Sequence, residues 1–252
     1  QGYYDNFVLY SDSAIEMGVP VTPRGQVENI WYDEYEESVL FKILVTDQDD
    51  WRPGVPYSQA DASGAIKSEY VCSYELYQLF DASDIRLSAS IVTSEYDGDL
   101  YNHVKKYLGR RTGNKTVIDG KYLRMEEVYL NKAEAIYRSG GSAGTEADAL
   151  AALDAVRNER YSPVVTGGET GAALLDAIML ERRLEFAFES DRFFTLKRLG
   201  MDLSRTDNGE FADGTGTAPL VQSYPADGFR WQAPIPQGAI DANPDLEQNP
   251  DY

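Results

Sequence analysis

The sequence has one cysteine and one histidine among its 252 residues. A lone cysteine forms no internal disulfide, and the apolar neighbours of Cys72 predict a small buried side chain. One histidine also cannot supply a zinc site of the histidine and cysteine type. Serine and cysteine hydrolase mechanisms would both depend on this one residue, His103, which we expect on a strand at the surface or at an interface.

Long apolar runs are lacking as well. No stretch reaches the roughly 18 consecutive apolar residues that a membrane-spanning helix needs. The glycine-rich stretch from Gly140 to Gly144 is not followed by a lysine, so it predicts a turn rather than a phosphate-binding loop.

Positive charge is scarce. The chain has 23 Lys and Arg residues and 42 Asp and Glu residues, which gives a net charge of −19. Binding to nucleic acid or to anionic lipid head groups relies on contacts between cations and phosphates, so this composition disfavours both as partners. Binding of a neutral ligand such as a glycan does not depend on the sign of the net charge.

Apolar periodicity predicts a mainly helical chain. Apolar residues three and four apart indicate helices at Tyr3–Met17, Tyr122–Ala135 and about 171–199. Thr145 and Asp148 have the spacing of a capping box for a further helix, which would bury Ala149, Leu153 and Val156. Together with the Tyr122 helix, it would form a helical hairpin of the tetratricopeptide kind.

One small β-hairpin is predicted beside these helices. Residues alternate between apolar and polar from Ile85 to Ile91, Asp97-Gly98 is a tight-turn pair, and residues 101–108 could return as the partner strand. The apolar run from Val39 to Val45 predicts a separate buried strand.

A pair of carboxylates makes glycoside hydrolysis a candidate reaction. Glu185 and Glu189 are one helical turn apart, and such reactions need two carboxyl groups on opposite sides of the bond. Arg182 and Arg192 on the same face would keep both groups ionised and leave no proton donor. We therefore expect structural Glu–Arg pairs that fasten the helix to the C-terminal segment or to loop carbonyls, with a hydrolase as the alternative.

Calcium is the one metal for which the sequence offers a weak signal, and no other cofactor is expected. The segment from Asp47 resembles the start of a calcium loop, but its sixth position is not Gly and its twelfth is Ser58 instead of Glu, which excludes an EF-hand. A calcium site of another kind stays open at either of two clusters: Asp47, Asp49 and Asp50, or Asp207, Glu210 and Asp213.

Four aromatic residues are candidates for ligand binding: Trp31, Tyr32, Trp51 and Tyr57. They lie in segments rich in Pro, Gly and Asp and not on helical stripes. Sugars present C–H faces that stack on indole and phenol rings, while nearby Asp, Asn and Arg side chains bind their hydroxyl groups. The alternative is that each ring packs its loop onto the helical core.

The C-terminal segment contains Pro234, Pro236, Pro244 and Pro250 within 17 residues, ending in Gln-Asn-Pro-Asp-Tyr252. Proline fixes φ and removes a backbone donor, so an extended strap is predicted here. This strap, the Tyr122–Ala135 segment and the Glu181–Phe194 segment together resemble the C-terminal half of the SusD/RagB family. These are nutrient-binding lipoproteins of Bacteroidetes outer membranes. Asp251 and Gly238 depart from the residues usual in the family.

The resemblance implies a mainly α, SusD-like fold with helical hairpins, a small β-hairpin, long ordered loops and a proline-rich C-terminal strap. Residues 1–252 would form a single SusD-like region, with the family's N-terminal half and lipid anchor outside this chain. The implied function is non-catalytic binding of oligosaccharides at the outer face of the outer membrane, for delivery to a SusC-like TonB-dependent transporter. Two alternatives stay open: a transporter-docking module without a sugar site, and a relative that binds peptides.

Overall fold

A computed structural model describes residues 2–49, 51–60, 65–113, 116–243 and 245–252. Helices account for most of the regular structure in these ranges, as predicted. None of the helices found there is long and apolar enough to cross a membrane. The helices are α1 Gly2–Glu16, α2 Val27–Ile30, α3 Tyr74–Leu79, α4 Ile85–Ser90, α5 Met125–Arg138, α6 Glu146–Arg157, α7 Gly171–Glu185, α8 Asp191–Leu199 and α9 Gln237–Ala242.

The strands within the described ranges form two-stranded antiparallel pairs: β1 with β6, β2 with β3, β4 with β5, and β7 with β8. The pair of β4 and β5 is the predicted hairpin, and its turn falls at Asp97-Gly98. The strands are β1 Val39–Ile43, β2 Gln59–Ala60, β3 Ile66–Lys67, β4 Ile91–Tyr96, β5 Asp99–Val104, β6 Gly120–Arg124, β7 Leu203–Ser204 and β8 Ser223–Tyr224.

The main core lies between α5, α6 and α7, and α1 packs against the side of α5. The predicted capping box at the start of α6 is confirmed: Thr145 accepts from the Asp148 backbone N–H, and the Asp148 side chain accepts from the Thr145 backbone N–H. Fixing the entry angle of α6 in this way turns its apolar face towards α5. The buried residues of this core include Leu130, Ala133, Ile136, Ala149, Leu153, Val156, Leu174 and Ile178.

The predicted strand from Ile85 to Ile91 is wrong for its first six residues, which form helix α4. Asp84 caps this helix by accepting from the Arg86 backbone N–H, and the alternating pattern is too short to distinguish the two structures. The pattern also placed Arg86 on a polar outer face, whereas the structure buries it. Strand β4 begins at Ile91.

Two other boundaries differ from the predictions. Tyr122 belongs to strand β6, which pairs with β1, and the helix begins only at Met125. Strand β1 is not buried, because this two-stranded sheet leaves Phe41 52% exposed. The pairing with β1 could not be read from the segment itself, since Tyr122 fits the spacing of the helix that follows.

The predicted helix over 171–199 is interrupted. It divides into α7 and α8, and the connection contains Phe188 and Ser190 with φ of 70° and 65°. Left-handed backbone at two residues other than glycine is unfavourable by about 1–3 kcal/mol each and needs surrounding structure to hold it. The break therefore ends α7 at Glu185 and separates it from α8.

The C-terminal segment is held by hydrogen bonds from its own side chains. The Gln248 side chain accepts from the Ile235 N–H and donates to the Ile235 carbonyl, at 2.8 and 2.9 Å. The Asn249 side chain donates to the Ala233 carbonyl, and the Tyr252 hydroxyl donates to the Gln232 carbonyl. These bonds fold the strap back on itself around α9; Pro244 lies outside the described residues.

Candidate functional site

A groove of about 1570 Å³ runs across one face of the chain. Its walls come from α1, the loop that contains Trp51, strand β6, helix α5 and the connection from α7 to α8. Sites for small molecules usually measure about 300–1000 Å³, so this groove has room for an extended ligand of several units.

Exposed aromatic rings line the groove. Trp51, Tyr122 and Phe194 are 48%, 52% and 66% exposed. The Trp51 ring lies against the backbone of β6 at Gly120, where a Cβ atom would stand 2.8 Å from the ring. Glycine at this position therefore lets the indole pack closely against the strand while much of the residue stays open to solvent.

Tyr57 lies deeper in the same groove. Its ring stacks on Tyr107 with centroids 5.2 Å apart and planes inclined by 20°. Of the four predicted ligand-binding rings, Trp51 and Tyr57 thus share one concavity. The sequence did not mark Tyr122 and Phe194 as ligand-binding candidates, because both fell within predicted helices, where an aromatic residue indicates packing.

Trp31 and Tyr32 do not line this groove. Trp31 is only 4% exposed and packs with Ile30 and Ile118 in a separate small cluster. The guanidinium of Arg111 lies 4.0 Å from the centroid of the Tyr32 ring, in a cation–π contact. The structure therefore does not bring the four predicted residues together into one surface.

Hydrogen-bonding groups stand beside the aromatic rings. Arg52 donates to the Asp47 carbonyl, and Lys197 donates to the Trp231 carbonyl. Neither residue forms an ion pair within the described part of the chain, so their remaining donors face no fixed carboxylate. Rings flanked by free donors suit a ligand that presents both C–H faces and oxygen atoms.

Glu185 lies at the centre of a buried set of charges, here called the charge network. Its carboxylate binds Arg124 and Arg160, each at 2.8 Å, and Arg86 at 3.2 Å. Burial acts to raise the pKa of Glu185, but Arg160 and Arg124 outweigh it and hold the pKa well below its usual range. The network comprises Asp84, Arg86, Lys106, Arg124, Glu126, Arg160, Glu181, Glu185 and Glu189.

Ion pairs were predicted for Glu185 and Glu189, but the predicted partners were wrong. Glu189 binds Lys106 at 2.6 Å and Arg124 at 2.9 Å, and within the described residues neither glutamate forms an ion pair or hydrogen bond with the C-terminal strap. Arg182 instead binds Asp191 at 2.5 Å. The break after Glu185 takes the downstream residues out of the helical register on which the prediction depended.

The turn between α5 and α6 contains a serine in a sequence similar to that of a hydrolase nucleophile. Gly140 to Gly144 has the letters Gly-x-Ser-x-Gly, but it follows a helix, whereas the nucleophile elbow of hydrolases follows a strand. Its Ser142 hydroxyl donates to Asp5 at 2.8 Å. His103 forms its hydrogen bond with a different residue, because its Nδ1 lies 2.8 Å from the Ser68 hydroxyl.

His103 is buried at 1% exposure, so its predicted place at a surface or interface is wrong. Burial lowers its pKa below the usual value. As pH falls below about 6.5, His103 becomes protonated in the unfolded chain before it does so in the folded protein. The free energy of unfolding therefore decreases with pH until the lower folded-state pKa is reached. We expect urea midpoints to fall as pH drops below about 6.5, and to fall less steeply in His103→Gln. Parallel pH profiles for both proteins would contradict this.

In the described residues, a carboxylate of each proposed calcium cluster already accepts hydrogen bonds within a local turn. Asp49 accepts from the backbone N–H and hydroxyl of Thr46, and Asp213 does the same for Thr215. Asp50 lies outside the described residues. A third acidic group has carboxylate oxygens within 4.8 Å of one another, but lysine and arginine side chains already bind it: Asp33, Glu36 and Asp119 with Lys42, Arg110 and Lys121.

Comparison with known proteins decides the family. The model of the SusD family matches residues 93–252, well over half of the chain. The chain belongs to the SusD family. The match contains all three segments on which the resemblance was based, and no curated protein sequence matches the chain.

Solved structures share the SusD-like fold. A Bacteroides vulgatus protein described provisionally as sugar binding superposes with a TM-score of 0.77 at 26% identity, over 100% of this chain and 56% of that one. Surface glycan-binding protein A from Bacteroides fluxus gives 0.74 at 21% identity, over 100% and 59%. A SusD superfamily protein from Bacteroides vulgatus gives 0.72 at 23% identity, over 96% and 53%.

These matches confirm the predicted mainly α, SusD-like fold. This SusD-family chain spans 56% of the length of the first of these relatives. The activity of the whole protein, its ligand and its partners are therefore taken up as proposals.

Proposed function

We propose that this SusD-family chain binds oligosaccharides at the outer face of the outer membrane and passes them to a SusC-like TonB-dependent transporter. Binding makes and breaks no covalent bond, and no cofactor is needed. The chain acts as one SusD-like region of a longer protein, attached to the membrane by a lipid anchor outside residues 1–252. The observation that carries the proposal is the groove, with Trp51, Tyr57 and Tyr122 along it.

The chemistry of the groove supports a glycan over other ligands. Half-exposed rings offer flat apolar faces, and Arg52 and Lys197 offer donors that no carboxylate of the described residues engages. The net charge of −19 opposes nucleic acid and anionic membrane surfaces. Non-catalytic binding is supported by Glu185, whose low pKa keeps it ionised and unable to act as a general acid near neutral pH.

Trp51→Ala is expected to weaken oligosaccharide binding about 30-fold, or about 2 kcal/mol, because truncating an aromatic anchor removes most of its stacking surface. Isothermal titration against a panel of neutral oligosaccharides would measure the loss. Tyr10→Ala is the matched control, since Tyr10 is 71% exposed on α1 but lies outside the groove. Equal affinities for Trp51→Ala and the unaltered protein would contradict the proposal.

Docking to the transporter without a sugar site is favoured by a separate observation. Apolar side chains are exposed on α1 and β1 and directly after each element, including Leu9, Met17, Phe41 and Leu44. If the unaltered protein binds no oligosaccharide but co-purifies with its transporter, docking alone is the function. Binding of peptides in the groove in place of sugars would identify a peptide-binding relative.

The hydrolase alternative has its own test. Incubating the protein with polysaccharides should release no reducing ends, because both Glu185 and Glu189 are held in ion pairs. Release that is abolished in Glu189→Gln would overturn the non-catalytic assignment.

A further inference from the structure

A second pocket, of about 350 Å³, adjoins the groove. The two cavities share Tyr57, three residues of the connection between α7 and α8 (Phe186, Phe188 and Ser190), and the first residue of α8, Asp191. The left-handed residues Phe188 and Ser190 thus lie in the wall that divides the groove from this pocket. A ligand in the groove could extend a substituent past this wall.

Three arginines line the pocket: Arg183, Arg192 and Arg205. Arg183 forms an ion pair with Glu75 at 3.0 Å. Arg205 donates to the Val221 carbonyl at 3.3 Å, and Arg192 forms no ion pair within the described ranges. Two of the three guanidinium groups therefore have no carboxylate partner there.

Arg192 and Arg205 are both exposed, and the described residues give neither of them an ion pair although the chain is acidic. The sequence has 42 acidic residues for 23 basic ones, so most arginines can find a carboxylate. Asp191 is adjacent to Arg192 in sequence, but its carboxylate binds Arg182 and accepts from the Thr195 hydroxyl. Burial and then the neighbouring Arg183 lower the pKa of Arg192, although the charges of Glu75 and Asp191 act in the opposite direction.

Several of the remaining lining groups fit an oxygen-rich ligand, and the acidic lining residues Glu75 and Asp191 are already paired with Arg183 and Arg182. Ser204, Thr206 and Asn208 supply hydroxyl and amide groups, and Phe188 supplies an apolar face. The pocket is also at the start of α8, where Ser190 makes no capping hydrogen bond with its side chain. Guanidinium groups bind carboxylates and sulfates through paired N–H donors, so both cations and neutral donors are in place for an anionic sugar.

We propose that this arginine pocket binds an anionic substituent, a carboxylate or a sulfate, of an acidic glycan that occupies the adjoining groove. The proposal rests on the proposed function, because it assigns the class of glycan that the groove accepts. An anion in the pocket would give Arg192 an ion-pair partner, which it lacks within the described residues, and would reduce its repulsion with Arg183.

The test compares three probes of matched length by isothermal titration: oligogalacturonates, sulfated galactan oligosaccharides and neutral galactan oligosaccharides. We expect at least one anionic probe to bind more tightly than the neutral one. In Arg192→Gln that anionic probe should bind about tenfold more weakly, or about 1.4 kcal/mol, with the neutral probe unchanged. Whether the carboxylate or the sulfate probe responds identifies the substituent.

Arg230→Gln is the matched control, because Arg230 is exposed and lines neither cavity. It removes the same charge and should leave all three affinities unchanged. Arg192→Lys should recover part of the lost affinity, since lysine keeps the charge but not the paired donors. Arg192→Gln should fold with an unchanged or slightly higher thermal midpoint, which separates a binding defect from misfolding.

Neutral and anionic probes that bind equally well would overturn the pocket assignment while leaving glycan binding in place. So would equal losses in Arg192→Gln and Arg230→Gln. Absence of binding by every probe would overturn both the pocket assignment and the proposed function, and tight binding of acidic peptides instead would assign the arginines to a peptide carboxylate.

Discussion

Glu185→Gln is expected to lower the free energy of unfolding by about 3–5 kcal/mol. Glu185 is 3% exposed and binds Arg86, Arg124 and Arg160. Glutamine keeps the shape but removes the charge, so the three buried guanidinium groups lose the carboxylate that offsets their desolvation. Urea unfolding followed by tryptophan fluorescence would measure the change.

The matched control for Glu185→Gln is Glu34→Gln. Glu34 pairs with Arg111 at the surface, where the two side chains are 42% and 44% exposed. Exposed pairs of this kind contribute about 0–1 kcal/mol, because water and salt screen both charges. Similar urea midpoints for the two variants would show that the charge network contributes no more than a surface ion pair.

The low folded-state pKa of Glu185 also predicts how acid affects the network. Its contribution to stability is fully present above the pKa of about 4.3 that a glutamate has in unfolded chains. Stability is lost as pH falls through the lower folded-state pKa, so acid unfolding of the unaltered protein should steepen below about pH 4. Glu185→Gln should lack this component.

Trp31→Ala is expected to cost about 3–5 kcal/mol of folding free energy, the usual range for removing a large buried aromatic side chain. The ring packs edge-on to Tyr107 with centroids 5.8 Å apart, and the Lys106 ammonium lies 4.6 Å from its centroid. Its loss would leave a cavity and would also expose one side of the charge network, in which Lys106 takes part.

Trp51→Ala provides the comparison for Trp31→Ala in the same unfolding experiment. Because Trp51 is about half exposed, the substitution should change stability by no more than about 0.5 kcal/mol while weakening ligand binding. Trp31→Ala should show the opposite pattern, with stability lost and binding per folded molecule retained. A stable Trp31→Ala variant with lost affinity would instead place Trp31 in the binding site.

Local sequence signals located the features that depend on a few neighbouring residues. The capping box of Thr145 and Asp148, the Asp97-Gly98 turn and the buried face of α6 were all predicted. Each of these features depends on residues that are close in sequence and contact one another directly. The family was likewise recognised from short contiguous segments.

The charge network could not be predicted in the same way. Arg86 and Glu185 are 99 residues apart, and Arg124 and Glu185 are 61 apart, so no local pattern links them. Arg86 even appeared on the polar side of an apparent strand. A buried arginine looks like an exposed one in sequence, because the same residue type serves both environments.

The binding rings show the same limit. Trp31 and Trp51 are both found in segments rich in acidic and aromatic residues, yet one is 4% and the other 48% exposed. What separates them is packing against distant parts of the chain: Ile118 covers Trp31, and Gly120 lies beneath Trp51. Only the three-dimensional arrangement shows that Tyr122 lies in the same groove as Trp51.

The spread of the charge network along the chain has a consequence for how the molecule unfolds. Its members come from segments that begin at Asp84 and end at Glu189, and each cation needs a carboxylate from another segment. A half-assembled network would hold dehydrated charges without partners, which is costly. Partial opening near any one segment is therefore penalised, and α4, β6 and α7 should lose their protection against hydrogen exchange together, as one cooperative unit.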